Sequence, residues 1–221
     1  MSIEPNLTHS SVKITLVSLF DLNMAEIGRL TANRMREFAI RHAHNFVCFE
    51  SLLDPDLHPS WNKLLAIRQV FQSNCPDWVL WIDADAIILN LDTQLEKLLD
   101  DRYDILFGSD FNGLCAGVML LKHSEWTLRF LDVVLFLGDI GSDPDGFGYK
   151  AEQNAFKQLV HSFPSIGSHV KLLEQRKMNS YLQDYGNDDF ILHLHSLPTN
   201  ERVRIVREKT DHLHDSQGKG T

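Results

Sequence analysis

The stretch Trp78 to Leu91, WVLWIDADAIILNL, decides how this chain folds. Trp, Val, Leu and Ile fill it in the manner of a strand covered on both faces, yet Asp83 and Asp85 interrupt the run. An ionised carboxylate taken out of water costs several kcal/mol unless it is paired or bound to a metal. The two aspartates therefore belong at the strand's exit. Residues i and i+2 of an extended segment point the same way, so Asp83 and Asp85 can present both carboxylates to one point while Ala84 packs behind them. Converging oxygen ligands suit a hard divalent cation. An isolated Asp-x-Asp is otherwise a pair of capping or turn residues after an edge strand. The apolar runs DWVLW before it and AIIL after it favour the metal reading.

Outward from this stretch, strand and helix patterns alternate with short connections, the signature of an α/β domain with a mainly parallel, Rossmann-like sheet flanked by helices. Lys13 to Phe20 reads as the first strand, and Asp21 begins the loop at its carboxyl end, where ligands of open α/β sheets collect. Ala25 to His42 carries Ile27, Leu30, Met35, Phe38 and Ala39 at helical spacing, and Asn45 to Glu50 returns as a strand. Ser60 suits the N-cap of a helix over Trp61 to Gln72, with Leu64, Leu65, Ile67 and Phe71 toward the sheet. Beyond the aspartates, Thr93 to Leu99 reads as a short helix and Tyr103 to Gly108 as a strand. Asn112-Gly113 marks a turn before the strand Cys115 to Lys122. Ser124 caps a helix over Glu125 to Leu137. The segment Gly138 to Tyr149 is the longest loop expected. Ala151 to His161 reads as a helix, Val170 to Glu174 as a strand, and Phe190 to His195 as a last strand. A single domain over residues 1–210 and a polar, flexible tail over 211–221 complete the expected organisation.

Composition narrows the function classes. The chain has 221 residues and a net charge of -9, with no basic cluster to release counterions from a nucleic-acid backbone, so nucleic acid is not expected as a partner. An anionic ligand would need help from a metal. Cys48, Cys75 and Cys115 are odd in number and far apart. They read as reduced core thiols in a cytoplasmic protein. No run approaches the length of a membrane helix, so the chain reads as soluble. Docking on a membrane through a partner, and the oligomeric state, stay open.

Several segments together resemble the GT-A glycosyltransferase family that contains fungal α-galactosyl- and α-mannosyltransferases and plant xyloglucan xylosyltransferases. They are NRMREFAIRH from Asn33, HPSWNKLLAIRQVF from His58, DWVLWIDADAIILN from Asp77, NGLCAGVMLLKHSEWTLRFLD from Asn112, EQNAF from Glu152 and DFILHLH from Asp189. Their order matches the family from Lys13 to His195. The Asp-x-Asp alone is shared by many families, and the ordered set carries the specificity. In three respects the chain departs from the pattern: the family's usual amino-terminal membrane anchor has no counterpart, no glycine follows His193 within a few residues, and Glu152 stands where plant relatives tend to have Asp.

The resemblance implies a single GT-A domain that transfers a sugar, with retention, from a nucleotide-diphosphate donor such as a UDP-hexose, a UDP-pentose or GDP-mannose to a glycan or small hydroxyl acceptor. The implied cofactor is manganese, with magnesium as a substitute, on Asp85 directly, with Asp83 orienting the ribose or a metal-bound water. Alternation along Phe190 to His195 places His193 and His195 on one face and does not choose between them; the resemblance favours His193 as the metal's imidazole. Phe20 and Asp21 would meet a uracil, and Arg34 would face the nucleotide. Lys63 would reach a phosphate, and Asn112 and Gly113 would approach the sugar. Gln153 would hold sugar hydroxyls, while Glu152 stabilises positive charge at the anomeric carbon. For Lys63 and Arg34 an ordinary solvated or salt-bridging side chain is the competing reading, and for Glu152 a carboxylate favoured by the helix dipole.

Three alternatives compete. Gly141 to Glu152 nearly matches a calcium loop, but its first position is Gly141 and no partner motif repeats it. A phosphohydrolase of the Asp-x-Asp type carries its acidic pair on the first strand, whereas here it follows two strands and two helices. A catalytically silent module that binds nucleotide sugars is the third.

Overall fold

The computed structural model describes residues 12–110, 113–140, 151–186 and 188–217. Strands β1 (Ile14–Leu19), β2 (Asn45–Phe49) and β3 (Trp78–Ile82) alternate with helices α1 (Ala25–Arg41) and α2 (Pro59–Asn74). Then come β4 (Ala86–Ile88), the hairpin β5 (Ile105–Asp110) and β6 (Gly113–Lys122), and helices α3 (Glu125–Ile140), α4 (Glu152–Ser162) and α5 (Pro164–Gly167). Strand β7 (Val170–Leu173), α6 (Gln175–Met178), β8 (Ser180–Tyr181), β9 (Ile191–His193) and α7 (Thr199–Gln217) complete the chain. The main sheet has six strands in the order β2-β1-β3-β6-β5-β7. Only β6 runs against its neighbours, so the expected mainly parallel sheet is present.

Alternation along β3 explains why it reads as an unbroken apolar run. Val79 and Trp81 face α2, α3 and α4, in a core with Leu64, Ile67, Phe71, Leu131 and Phe156. Trp78, Leu80 and Ile82 face α1, in a second core with Met35, Phe38 and Ala39. Leu65, expected toward the sheet, is only half-buried. Both faces are covered, which a strand central to a parallel sheet requires.

The aspartate segment is not extended. After Ile82 the chain turns, with Ala86 N donating to Asp83 O at 3.0 Å, and β4 enters a separate sheet of order β4-β9-β8. One apolar stretch thus supplies strands to two sheets, and the turn between them carries both aspartates. Thr31 on α1 secures that turn by donating its hydroxyl to Ala84 O at 2.8 Å. Ala84 packs with Phe20 and Ala32, behind the carboxylates as expected.

Several boundaries depart from expectation. Helix α2 is capped by His58, whose Nδ1 accepts from Ser60 N at 3.3 Å, with Pro59 at the first helical position. Ser60 therefore lies inside the helix, because Pro59 supplies the preset φ that starts it. Only a 3-10 turn, Leu95–Lys97, forms where a short helix was expected. Ser124 does cap α3, accepting from Thr127 N at 3.1 Å. Helix α3 runs through Gly138 instead of ending before it. A Cβ at Gly138 would stand 2.5 Å from the Trp61 ring, so glycine here lets α3 close against α2. The calcium-like motif falls on residues outside those described, apart from Glu152. Helix α7 was not foreseen, and it extends into the segment read as a tail. Cys48, Cys75 and Cys115 are free, and Cys75 is exposed at the left-handed C-cap of α2 rather than in the core. Among the described residues no helix is long and apolar enough to cross a membrane.

Candidate active site

A cleft of about 840 Å³ opens at the carboxyl ends of β1 and β3. Asp83, Asp85 and His193 meet in its wall, with one ligand atom of each within 4.8 Å of the others. His193 ends β9, opposite Ala86 in the antiparallel pair with β4, and Leu194 N donates to Asp85 O at 3.0 Å. This second sheet is therefore what delivers the histidine to the aspartates. Nε2 of His193 lies 3.3 Å from Asp85 Oδ1 and 3.9 Å from Asp83 Oδ2. Its Nδ1 faces Asn179 Oδ1 at 3.0 Å. An Nδ1–H donated to that amide leaves Nε2 as the ring atom able to ligate a metal.

Gly117 gives the imidazole its place. A Cβ there would stand 2.2 Å from His193 Cε1, so the ring lies directly on the backbone of β6. That backbone is irregular at this point. The β5–β6 register jumps from Phe107↔Met119 to Gly108↔Cys115, a bulge that frees Ala116 and Gly117 from β5. Other groups take up their polar atoms. Gly117 O accepts from Asp83 N at 2.8 Å, Ala116 N donates to Gln153 Oε1 at 2.9 Å, and Ala116 O accepts from Lys63 Nζ at 3.0 Å.

Lys63 is buried beneath the cleft rather than extended into it. Its ammonium also meets Asp83 Oδ1 at 3.0 Å and Glu152 Oε1 at 2.7 Å. An ammonium has three donors, and these three acceptors engage all of them. Burial works against its charge, but Asp83 and Glu152 hold the ammonium well above the usual lysine range. Asp83 also accepts from Trp81 Nε1 at 2.7 Å, an i, i+2 contact on the strand's own face. Burial pushes the Asp83 carboxyl up; Lys63 and His193 oppose this, and Asp85 and Glu152 add to it. Burial pushes Asp85 up as well, yet His193 and Arg202 overcome it and hold that carboxyl at about 2. Two carboxylates and an imidazole with its tautomer set are a donor set that fits manganese or magnesium.

Of the other residues singled out in the sequence, Phe20, Asp21, Glu152 and Gln153 line the same cleft. Asp21 also caps the turn Leu22–Met24, accepting from Met24 N at 3.1 Å. Glu152 is buried, and its Oε2 has no hydrogen-bond partner. Gly113, at φ 99, starts β6 and is not in the cleft wall; Asn112 lies outside the described residues. Arg34 is placed elsewhere. It is buried under β4, donating from Nε to Ile88 O at 3.1 Å and pairing with Glu37 at 2.6 Å, because a guanidinium on the inner face of α1 meets the open carbonyls where β4 ends. His195 lines the cleft edge-on to Tyr181, with centroids 4.2 Å apart, and is exposed.

Sequence reading missed Asn179, Gly117 and Arg202. Gly117 lay within a quoted motif, and close approach to another backbone or ring is a known reason for a strand glycine. Nothing local marks Asn179 or Arg202.

An uncharacterized alpha-1,2-galactosyltransferase of Schizosaccharomyces pombe is 30% identical over 202 residues, covering 70% of this chain and 50% of the relative. The chain spans about half the length of the curated relatives it matches. Among solved structures, a glycosyltransferase involved in glycosylation of the major capsid of PBCV-1 superposes with a TM-score of 0.73 at 16% identity, covering 89% of this chain and 99% of that one. A Drosophila beta-1,4-galactosyltransferase 7 mutant, in complex with manganese, UDP-Gal and xylobiose, superposes at 0.50 with 17% identity, covering 84% and 71%. The fold is that of the GT-A glycosyltransferases. The sequence profile of one family matches residues 14–102 and 99–201, which is most of the chain. With that match added to the fold and the aspartate-histidine cluster, the chain belongs to the galactosyl transferase GMA12/MNN10 family.

Proposed function

We propose that this cleft transfers a sugar, with retention of configuration, from a nucleotide-diphosphate donor to a hydroxyl of a glycan or other small acceptor. We further propose that Asp85, His193 and Asp83 hold a divalent cation there, manganese in preference to magnesium. The observation that carries the reading is the convergence of these three side chains at the carboxyl end of β3, with Asn179 setting the imidazole tautomer.

Each unit charge of a diphosphate 4 Å from an unscreened carboxylate is repelled by about 4 kcal/mol at an effective dielectric near 20. A bound cation would reverse that sign and stabilise charge on the departing diphosphate. Asp83, pinned by Trp81 and Lys63, is suited to orient the ribose or a water on the cation. Phe20 and Asp21, which line the cleft at the end of β1, would meet the base.

The reacting sugar falls to the start of α4. Gln153 Oε1 is engaged by Ala116 N, which leaves its NH2 group to donate to sugar hydroxyls. The unpartnered Oε2 of Glu152 supports a role for this carboxylate in stabilising positive charge at the anomeric carbon. Lys63 serves by fixing Asp83 and Glu152 relative to each other.

The test is donor turnover. The protein is incubated with manganese and, in turn, UDP-galactose, UDP-xylose and GDP-mannose, with a panel of glycan acceptors, and release of UDP or GDP is followed. Release that one donor supports and EDTA abolishes is the expected result. Tight donor binding without release would favour a silent module, and phosphate release from simple phosphomonoesters would favour a hydrolase.

A further inference from the structure

The cleft wall contains two lysine or arginine side chains among the described residues, Lys63 and Arg202. Lys63 has all three donors engaged by Asp83, Glu152 and Ala116. Arg202 does not. It sits in the first turn of α7, a helix held to the small sheet by Val203 and Val206 packing with Ile27, Ile87 and Leu192. Its Nη1 meets Asp85 Oδ2 at 3.0 Å and lies 3.9 Å from Met24 Sδ. Its Nε is buried and has no hydrogen-bond partner. A guanidinium carries five N–H donors, so most of its capacity is uncommitted beside the carboxylate proposed to take the cation.

A buried, unpaired N–H of a charged group is costly and marks a position where a ligand is to be expected. An acceptor at this position lies against Asp85, so an anion fits there best when it arrives with a cation. We propose that Arg202 is the diphosphate-binding cation of the cleft, and that in the metal-free protein it stands in for the metal on Asp85. Cation binding draws Asp85 away from the guanidinium, which then donates to phosphate oxygens. This rests on the nucleotide-sugar reading above and assigns it a residue that the sequence did not suggest.

The exchange predicts two effects of opposite sign, which separates it from a merely structural role. Arg202→Met keeps an unbranched apolar stem and removes the guanidinium with its contacts to Asp85 and Met24, and Arg202→Lys keeps the charge. Calorimetry is run on each with manganese alone, then with UDP, GDP and UMP in the presence of manganese. Arg202→Met should bind manganese alone as tightly as the wild type or more tightly, since a competitor for Asp85 is gone. It should bind the preferred diphosphate about tenfold to a hundredfold more weakly, and narrow the gap in affinity between UDP and UMP. Arg202→Lys should recover part of that gap. A parallel loss of manganese and nucleotide affinity in Arg202→Met would overturn the proposal, as would an unchanged UDP-to-UMP gap. If the wild type binds neither UDP nor GDP with manganese, the nucleotide-sugar reading itself fails; if it binds them and Arg202→Met binds them equally well, only the assignment of Arg202 fails.

Discussion

Lys63 Nζ and Glu152 Oε1 are 2.7 Å apart, with both side chains only 5% exposed, and the same ammonium bonds Asp83. One buried cation therefore holds the proposed metal site and the proposed sugar site in a fixed relation. Replacing Lys63 with Met would leave the buried Glu152 and the half-buried Asp83 without their shared cation. Breaking a buried ion pair from one side costs about 3–5 kcal/mol. Urea denaturation should show a loss of that order, with the slope unchanged; a loss within the range of ordinary surface substitutions would mean that the pair contributes little.

Glu152→Gln removes charge but keeps shape and one acceptor for Lys63. If Glu152 stabilises the transition state, kcat should fall far more than KM for the donor rises. A rise in KM at constant kcat, measured by release of the nucleotide, would instead assign it to binding or to the helix terminus.

Asp85→Asn and His193→Ala should each weaken manganese-dependent nucleotide binding by about tenfold or more, since an amide or a methyl removes a ligand. His195→Ala should leave it nearly intact, because His195 is exposed and lies at the rim against Tyr181. Titration calorimetry with and without EDTA distinguishes the variants. A loss confined to His195→Ala would reverse the assignment of the two histidines.

Gly117→Ala would place a methyl 2.2 Å from His193 Cε1. The imidazole must then move off β6. Manganese affinity should fall nearly as far as in His193→Ala, while the β3–β6 pairing at Ile82 and Val118 persists. Electron paramagnetic resonance of bound manganese would report the loss. Wild-type affinity in this variant would show that the histidine is not a ligand.

In the metal-free protein the His193 imidazole is buried, which favours its neutral form, yet Asp85 and Cys115 push it from 6.5 up to about 10. Asp85, held down mainly by His193 against its own burial, falls from 3.8 to about 2. A base raised on folding lends stability in full below its unfolded pKa and loses it as pH climbs through the folded value. An acid lowered on folding does the reverse. The pair should therefore stabilise most between 3.8 and 6.5, and less toward pH 10 and pH 2. Thermal melts in EDTA should show the gap between the wild type and His193→Gln widest near about pH 5 and closing above about pH 9. Manganese must displace the His193 proton, so its affinity should rise over the same alkaline range. A pH-independent gap would contradict the ion pair.

Periodicity and composition determined much of this protein on their own. The alternating elements from β1 to β3 follow from where apolar residues recur, because burial of one helix face or of both strand faces is written locally in the side chains. The aspartates at the end of β3 were legible because charge inside an apolar run has few stable explanations, whereas Glu152 and Gln153 stood out only through the family resemblance. Tertiary structure decided the rest. Whether Lys63 reached a phosphate or lay beneath the cleft depended on Ala116 O, exposed by a bulge in β6 that no local pattern announces. Arg34 was drawn under β4 by carbonyls more than fifty residues away in sequence. The turn at Asp83 to Ala86 sends one apolar stretch into two sheets, and only the pairing of β4 with β9 brings His193 rather than His195 to Asp85. Strand partners, and the polar contacts they create, are set by long-range closure of the chain. A period of 2 or 3.6 along the sequence specifies which face is buried, but not what lies across from it.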